Sequence, residues 1–163
     1  MFKHILLPTD GSELSVAAIH QGIRFAKSIG AKVTGLCVMP LHYKFLYAAL
    51  IPTESIEQSA EQCKEMAETC LGTIEKRAKI AKELAEVYLS TIEKDAQMAG
   101  VACDVVYERN DSPYEGIIQV AEQRGCDLIM MASHGRRGVG ALLLGSETQR
   151  VLTHSKIPVL VYR

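Results

Sequence analysis

Five short apolar runs alternate with longer amphipathic stretches along this chain, and that alternation restricts its fold more than any other feature. The runs are Ile5-Leu6-Leu7, Val33 to Met39, Val101 to Tyr107, Leu128 to Ala132 and Ile157 to Tyr162. Strands separated by four helical patterns make repeated βαβ units, which predict an α/β fold: an open, doubly wound, five-stranded parallel sheet with helices on both faces. The first and fourth runs are apolar without interruption, as strands covered on both faces are. A length of 163 residues is one domain's worth. The composition, 48% hydrophobic and 23% charged with a formal net charge of −1, is that of an ordinary globular chain. It argues against a protein whose main partner is nucleic acid or an acidic membrane surface. No apolar run approaches the ~20 residues of a membrane span. Met1-Phe2-Lys3-His4 enters the first strand without a small-residue cleavage site, so no secretory signal is expected. The five cysteines, Cys37, Cys63, Cys70, Cys103 and Cys126, never form a C-x-x-C pair. They read as buried reduced thiols of a cytoplasmic protein.

The first helix has Ser12 as cap and Gly30 as stop, with Leu14, Ala18, Ile19, Ile23, Phe25, Ala26 and Ile29 on the half facing the sheet. A later helix opens on Ser112-Pro113-Tyr114-Glu115, a capping-box pattern, and ends near Gly125. The last opens on Gly145-Ser146-Glu147-Thr148-Gln149, where Ser146 can act as cap. Residues 54 to 99 differ from the rest. They hold 16 of the 37 charged residues, ten acidic and six basic, and apolar side chains recur at helical spacing with a phase slip just past residue 74. An unbroken helix there would be ~69 Å long, against a radius of gyration of ~15 Å for the domain. It must break, protrude or fray. Gly72 is the expected break, with Thr73 to Ala99 as the crossover helix and about 41 to 72 as an enlarged loop-and-helix segment, an idle insertion or a flap.

Two loops carry the chemistry. The first leaves the fourth strand at Met131-Ala132, passes Gly135, Gly138 and Gly140, and reaches a helix start at Gly145-Ser146. Glycines admit an anion close to backbone N–H groups, and a helix start adds unpaired donors, so this stretch could cradle a phosphate, or Ser146 could simply cap its helix. Gly140 to Gly145 has the G-x-x-x-x-G spacing of a P-loop, but Ser146-Glu147 stands where that motif needs Lys and Ser or Thr. Without that lysine, binding without fast hydrolysis is expected. The second loop, Pro8-Thr9-Asp10-Gly11-Ser12, follows the first strand. In a doubly wound sheet it would share one crevice with the glycine loop, where Asp10 could accept hydrogen bonds from a ribose or serve only as a turn residue. His134 and the Arg136-Arg137 pair lie close by in sequence, and such residues are more often solvated loop groups. A phospho-accepting receiver domain is disfavoured, because Tyr107-Glu108-Arg109 stands where an aspartate should end the third strand.

Ile5-Leu6-Leu7-Pro8-Thr9-Asp10-Gly11-Ser12, Asp127-Leu128-Ile129-Met130-Met131, Ser133-His134-Gly135-Arg136-Arg137-Gly138, Gly145-Ser146 and Ile157-Pro158-Val159-Leu160-Val161 together resemble a single-domain universal stress protein. The family's nucleotide-binding pattern is G-x-x-G, nine residues, then G and S or T. Gly135, the spacer Arg136 to Leu144, and Gly145-Ser146 fit it, while Ala132 replaces the first glycine. The resemblance implies strand order 3-2-1-4-5 and a homodimer through the last strand. Its implied ligand is ATP, AMP or cyclic AMP, with Mg2+ held by the phosphates. Pro8, Thr9, Asp10 and the backbone of Val38 would line the adenine and ribose side, with Met131 and Ala132 near base and sugar. Gly135, Arg136, Gly145, Ser146, Glu147 and Thr148 would approach the phosphates, Glu147 through its N–H with its carboxylate turned away. The expected function is a cytoplasmic stress-response sensor or regulator, not an enzyme. The alternatives are a nucleotide-independent dimeric interaction module of the same family, or a slow ATPase.

Overall fold

The computed structural model describes residues 1–39, 60–135 and 144–163, apart from the side chains of 60–71, 73, 74 and 77. The elements in chain order are β1 (His4–Thr9), α1 (Glu13–Ile29), β2 (Lys32–Met39), α2 (Ala60–Ala99), β3 (Cys103–Arg109), α3 (Pro113–Arg124), β4 (Leu128–Ala132), α4 (Ser146–His154) and β5 (Val159–Tyr162). All five strands run parallel in the order β3-β2-β1-β4-β5.

Because side chains alternate across a strand, β1 feeds two cores. Ile5 and Leu7 pack with Ile19, Ile23 and Ala26 of α1 and with Ala85, Leu89, Ile92 and Ala96 of α2. Leu6 faces the other way, with Leu36, Ile129 and Met131, against Ile117, Val120 and Ala121 of α3 and Val151 of α4. Truncating a fully buried aliphatic such as Ile92, 1% exposed, would destabilise by about 2–5 kcal/mol. At the amino end of the sheet the Asp127 carboxylate accepts hydrogen bonds from the N–H groups of Lys3 at 2.8 Å and His4 at 2.9 Å. Burial pushes its pKa up, but these amides prevail and hold it below the usual carboxylate value. The His4 ring is buried, with Nε2 2.7 Å from Thr34 Oγ1. Burial, and secondarily Lys32, lowers its pKa.

Helix α1 is capped as its sequence predicts: Ser15 N–H donates to Ser12 Oγ at 3.3 Å, and Gly30 closes it with φ +68°. Three expectations are corrected. Helix α2 does not break at Gly72 but runs unbroken for 40 residues, about 60 Å. A single exposed glycine costs only about 1 kcal/mol in a helix, and one extra four-residue step is absorbed by a small change in winding. Buried positions on α2 begin at Ala85 among its described side chains, so the helix protrudes. Ser112 makes no side-chain cap bond on α3. Tyr114 N–H donates instead to Glu147 Oε2 at 2.9 Å, and Glu115 accepts from its neighbour's phenol, Tyr114 Oη, at 2.8 Å. Finally, the cap of α4 is Gly145 rather than Ser146, again with no side-chain cap bond. Of the enlarged segment, residues 40–59 lie outside the described part of the chain.

Candidate functional site

The connection from β1 leads to α1 on one face of the sheet, while that from the adjacent β4 leads to α4 on the other. Such a divergence leaves a crevice at the carboxyl ends of the two strands. Pro8 widens it. Lys3 O accepts from Lys32 N at 3.0 Å and His4 O from Asp127 N at 2.9 Å, so odd residues of β1 face β2 and even ones face β4. Pro8 therefore turns its missing N–H toward β4. Register pairing of β1 with β4 stops at Leu6–Ile129, whereas pairing with β2 continues to Thr9–Cys37.

Val38 lies one residue past that last pair. On β2, Lys32 N bonds toward β1, while Val33 N and Met39 O bond toward β3. Even residues thus face β1, and the Val38 carbonyl points past the end of that strand into the crevice. Its side chain packs on Gly116 of α3, where a Cβ would stand 3.1 Å from Val38 Cγ1.

The turn after β1 is wound by its own side chains. Gly11 N–H donates to Thr9 Oγ1 at 3.0 Å, Ser12 N–H donates to Asp10 Oδ1 at 3.0 Å, and Thr9 Oγ1 lies 3.0 Å from Ser15 Oγ. Gly11 has φ +76°, a conformation natural to glycine. Across the crevice, Gly135 touches Asp10: a Cβ on Gly135 would run into Asp10 Oδ2 and lie 3.1 Å from its Cγ. This contact joins the two loops that sequence reading singled out separately.

Behind Gly135, Gly145 N–H donates to Ser133 O at 2.8 Å, and a Cβ on Gly145 would be 3.1 Å from His134 Cα. That close approach brings the start of α4 against the end of β4. With Gly145 as cap and no side chain closing the helix, the amides of Ser146, Glu147 and Thr148 form an N-terminus with the donors and dipole that suit an anion. The Glu147 carboxylate is turned away, accepting from Tyr114 N–H at 2.9 Å and pairing with Arg150 Nη1 at 3.3 Å. Arg150 in turn sits over the Tyr114 ring. Thr148 is buried, and its hydroxyl donates to Ala132 O at 2.9 Å, so only its amide is available to a ligand. Ala132, the residue replacing a glycine, is the last residue of β4, opposite Tyr162. An extended strand position suits alanine, and its methyl group is buried.

Met131 is buried in the second core beside Leu6 and Leu36, with only 7% of its surface exposed. Ser133 Oγ and His134 Nδ1 are 3.0 Å apart. Arg136, with Arg137, Gly138 and Gly140, lies outside the described residues. Sequence reading missed Tyr88 of α2, whose ring covers Gly11. Nothing in the sequence sets it apart from other apolar-face positions of that helix. Among the described residues no cluster of three or more His, Cys, Asp or Glu could hold a metal ion, and no helix is long and apolar enough to cross a membrane. Burial raises the thiols of Cys103 and Cys126 to about 11, which leaves them poor nucleophiles.

Residues 1–163 match the family model described as the universal stress protein family. Universal stress protein MJ0577 of Methanocaldococcus jannaschii is 31% identical over 166 aligned positions, spanning 100% of this chain and 96% of that protein. A solved structure of MJ0577 matches with a TM-score of 0.75 at 26% identity, over 99% of this chain and 95% of the other. A universal stress protein in complex with cAMP matches at 0.61 and 18% identity, over 99% and 97% of the two chains. One from Archaeoglobus fulgidus in complex with dAMP matches at 0.57 and 14%, over 100% and 98%. At those two identities the likeness is one of fold.

Proposed function

This chain belongs to the universal stress protein family, and we propose that it binds an adenine nucleotide, ATP first among them, and acts as a stress-response sensor or regulator with little or no turnover. The observation that supports this reading is the contact of Gly135 with the Asp10 carboxylate: a side chain suited to accept from a ribose would then share one crevice with the end of β4 and the start of α4. Asp10 would accept from ribose hydroxyls and the Val38 carbonyl from the base, while the amides of Ser146 to Thr148 would receive the phosphates. Complexes of family structures with cAMP and dAMP support the ligand class. Mg2+ would be held chiefly by the phosphates, as that ion commonly is. The missing P-loop lysine favours retention over hydrolysis. The compartment this reading implies is the cytoplasm.

A homodimer through β5 is part of the proposal. That strand pairs with β4 on one side only among the described strands, and such an edge is a template for a second copy. A second reading, a nucleotide-independent interaction module, is favoured by one observation: the protruding α2 exposes Ile80 to 56% and Val87 to 59%. Isothermal titration with ATP, AMP and cyclic AMP, with and without Mg2+, separates the two. Saturable binding of at least one is expected; no saturable heat at millimolar ligand leaves the interaction module.

A further inference from the structure

We propose that Tyr88, on the long helix α2, is a positioning residue for Asp10, a role that rests on the nucleotide reading above. The hydrogen bonds that wind the Asp10-Gly11-Ser12 turn join Thr9, Asp10, Gly11, Ser12 and Ser15 to one another. They wind the turn and tie it to the end of β1 through Thr9 and to α1 through Ser15. The Tyr88 ring backs this turn from α2: a Cβ on Gly11 would run into its Cζ and Cε atoms, so the ring lies directly against the Gly11 backbone. Glycine is required there twice over, by its φ of +76° and by this contact.

Tyr88 is half-buried and packs against the core between α1, α2 and the sheet. It forms one wall of a small pocket of about 50 Å³ shared with Thr9, Val16, Ile19, Thr91, Ile92 and Asp95. The ring therefore separates the turn from an apolar hollow. Without it the hollow enlarges beneath Gly11, and the turn can sink and carry Asp10 with it. On its other side Asp10 is bounded by Gly135. The carboxylate is thus held between a glycine loop and a turn backed by the helix that protrudes from the domain. Preorganisation of this kind contributes to affinity without touching the ligand.

The test compares wild type, Tyr88→Ala and Tyr88→Phe by titration with ATP and with inorganic triphosphate, and by NMR hydrogen exchange of the Gly11 and Ser12 amides in the free protein. Tyr88→Ala is expected to weaken ATP about tenfold, to leave triphosphate within about twofold because the start of α4 is untouched, and to speed exchange at both amides. Tyr88→Phe keeps the ring and should lose clearly less than Tyr88→Ala in both measurements. The assignment is overturned if exchange in Tyr88→Ala is unchanged, if ATP and triphosphate weaken equally, or if Tyr88→Phe loses as much as Tyr88→Ala. Should Tyr88→Ala not fold, Tyr88→Leu, which keeps apolar bulk without a flat ring, takes its place. A wild-type protein that binds no ATP sinks the nucleotide reading, and the exchange comparison still decides whether Tyr88 holds the turn.

Discussion

Replacing Gly135 with alanine should weaken ATP binding far more than it destabilises the fold. The backbone does not resist the change, because Gly135 is not among the glycines with positive φ. It is also exposed, so no core packing is lost. The effect passes through Asp10, whose Oδ2 the new methyl group would meet and whose Cγ would lie 3.1 Å away. To make room the carboxylate must rotate and give up its 3.0 Å hydrogen bond from Ser12 N–H. A bond to a charged group contributes about 1.5–3 kcal/mol, and partial exposure places this one at the low end. Alanine returns about 0.4–1 kcal/mol by restricting the unfolded chain. The net loss in urea denaturation is then about 1 kcal/mol. For the ligand, losing the Asp10–ribose bond removes a further 1.5–3 kcal/mol or so, about ten- to 150-fold in Kd. Titration calorimetry reads this directly. An alanine variant that binds ATP within about twofold of wild type would refute the placement of Asp10 in the site.

Other substitutions separate structural from ligand-facing roles. Ala132→Gly restores the family's glycine in a strand; it should cost about 0.5–1 kcal/mol in urea denaturation and leave ATP affinity within about twofold, and a tenfold gain would show that the methyl group obstructs the ligand. Thr148→Val removes the hydroxyl bonded to Ala132 O from a site 3% exposed; a loss of about 1–3 kcal/mol in thermal or urea denaturation is expected, and none would mean that the carbonyl finds another partner. Stability should also fall on mild acidification. The folded pKa of His4 is lowered, first by burial, so the unfolded chain takes up the proton more readily. Its contribution is complete above about pH 6.5 and declines as pH falls toward the lower folded value. His4→Gln should flatten that part of the profile, and an equal slope in both proteins would contradict the assignment.

The sheet was legible because its cause is local in the sequence. Leu128–Ala132 is a strand over the whole of its apolar run, and the Ser12 and Gly30 signals bound α1 through contacts within a turn or two. In two of the three places where the expectation failed, a partner distant in sequence had decided the outcome. Ser112 stands at the N-cap of α3, ahead of Pro113, but its side chain makes no cap bond, and Glu147, 33 residues beyond Tyr114, supplies the acceptor instead. Ser146 does not cap α4 because Gly145, drawn against His134 by its bond to Ser133 O, occupies that position. Gly72 looked like a break because the cost of a long overhang was set against the small penalty of one glycine. The two ligand loops were each visible as patterns, but their meeting at Asp10 and Gly135, the gap opened by Pro8 and the backing of Gly11 by Tyr88 depend on how strands β1 and β4 diverge.

The most direct test of the central claim is an amide chemical-shift map of the protein titrated with ATP. Binding as proposed predicts saturable shifts concentrated at Gly11, Ser12, Val38, Gly135 and Gly145 to Thr148, on both walls of one crevice. No saturable shift at millimolar ATP, or shifts confined to surfaces away from Asp10 and the start of α4, would contradict it.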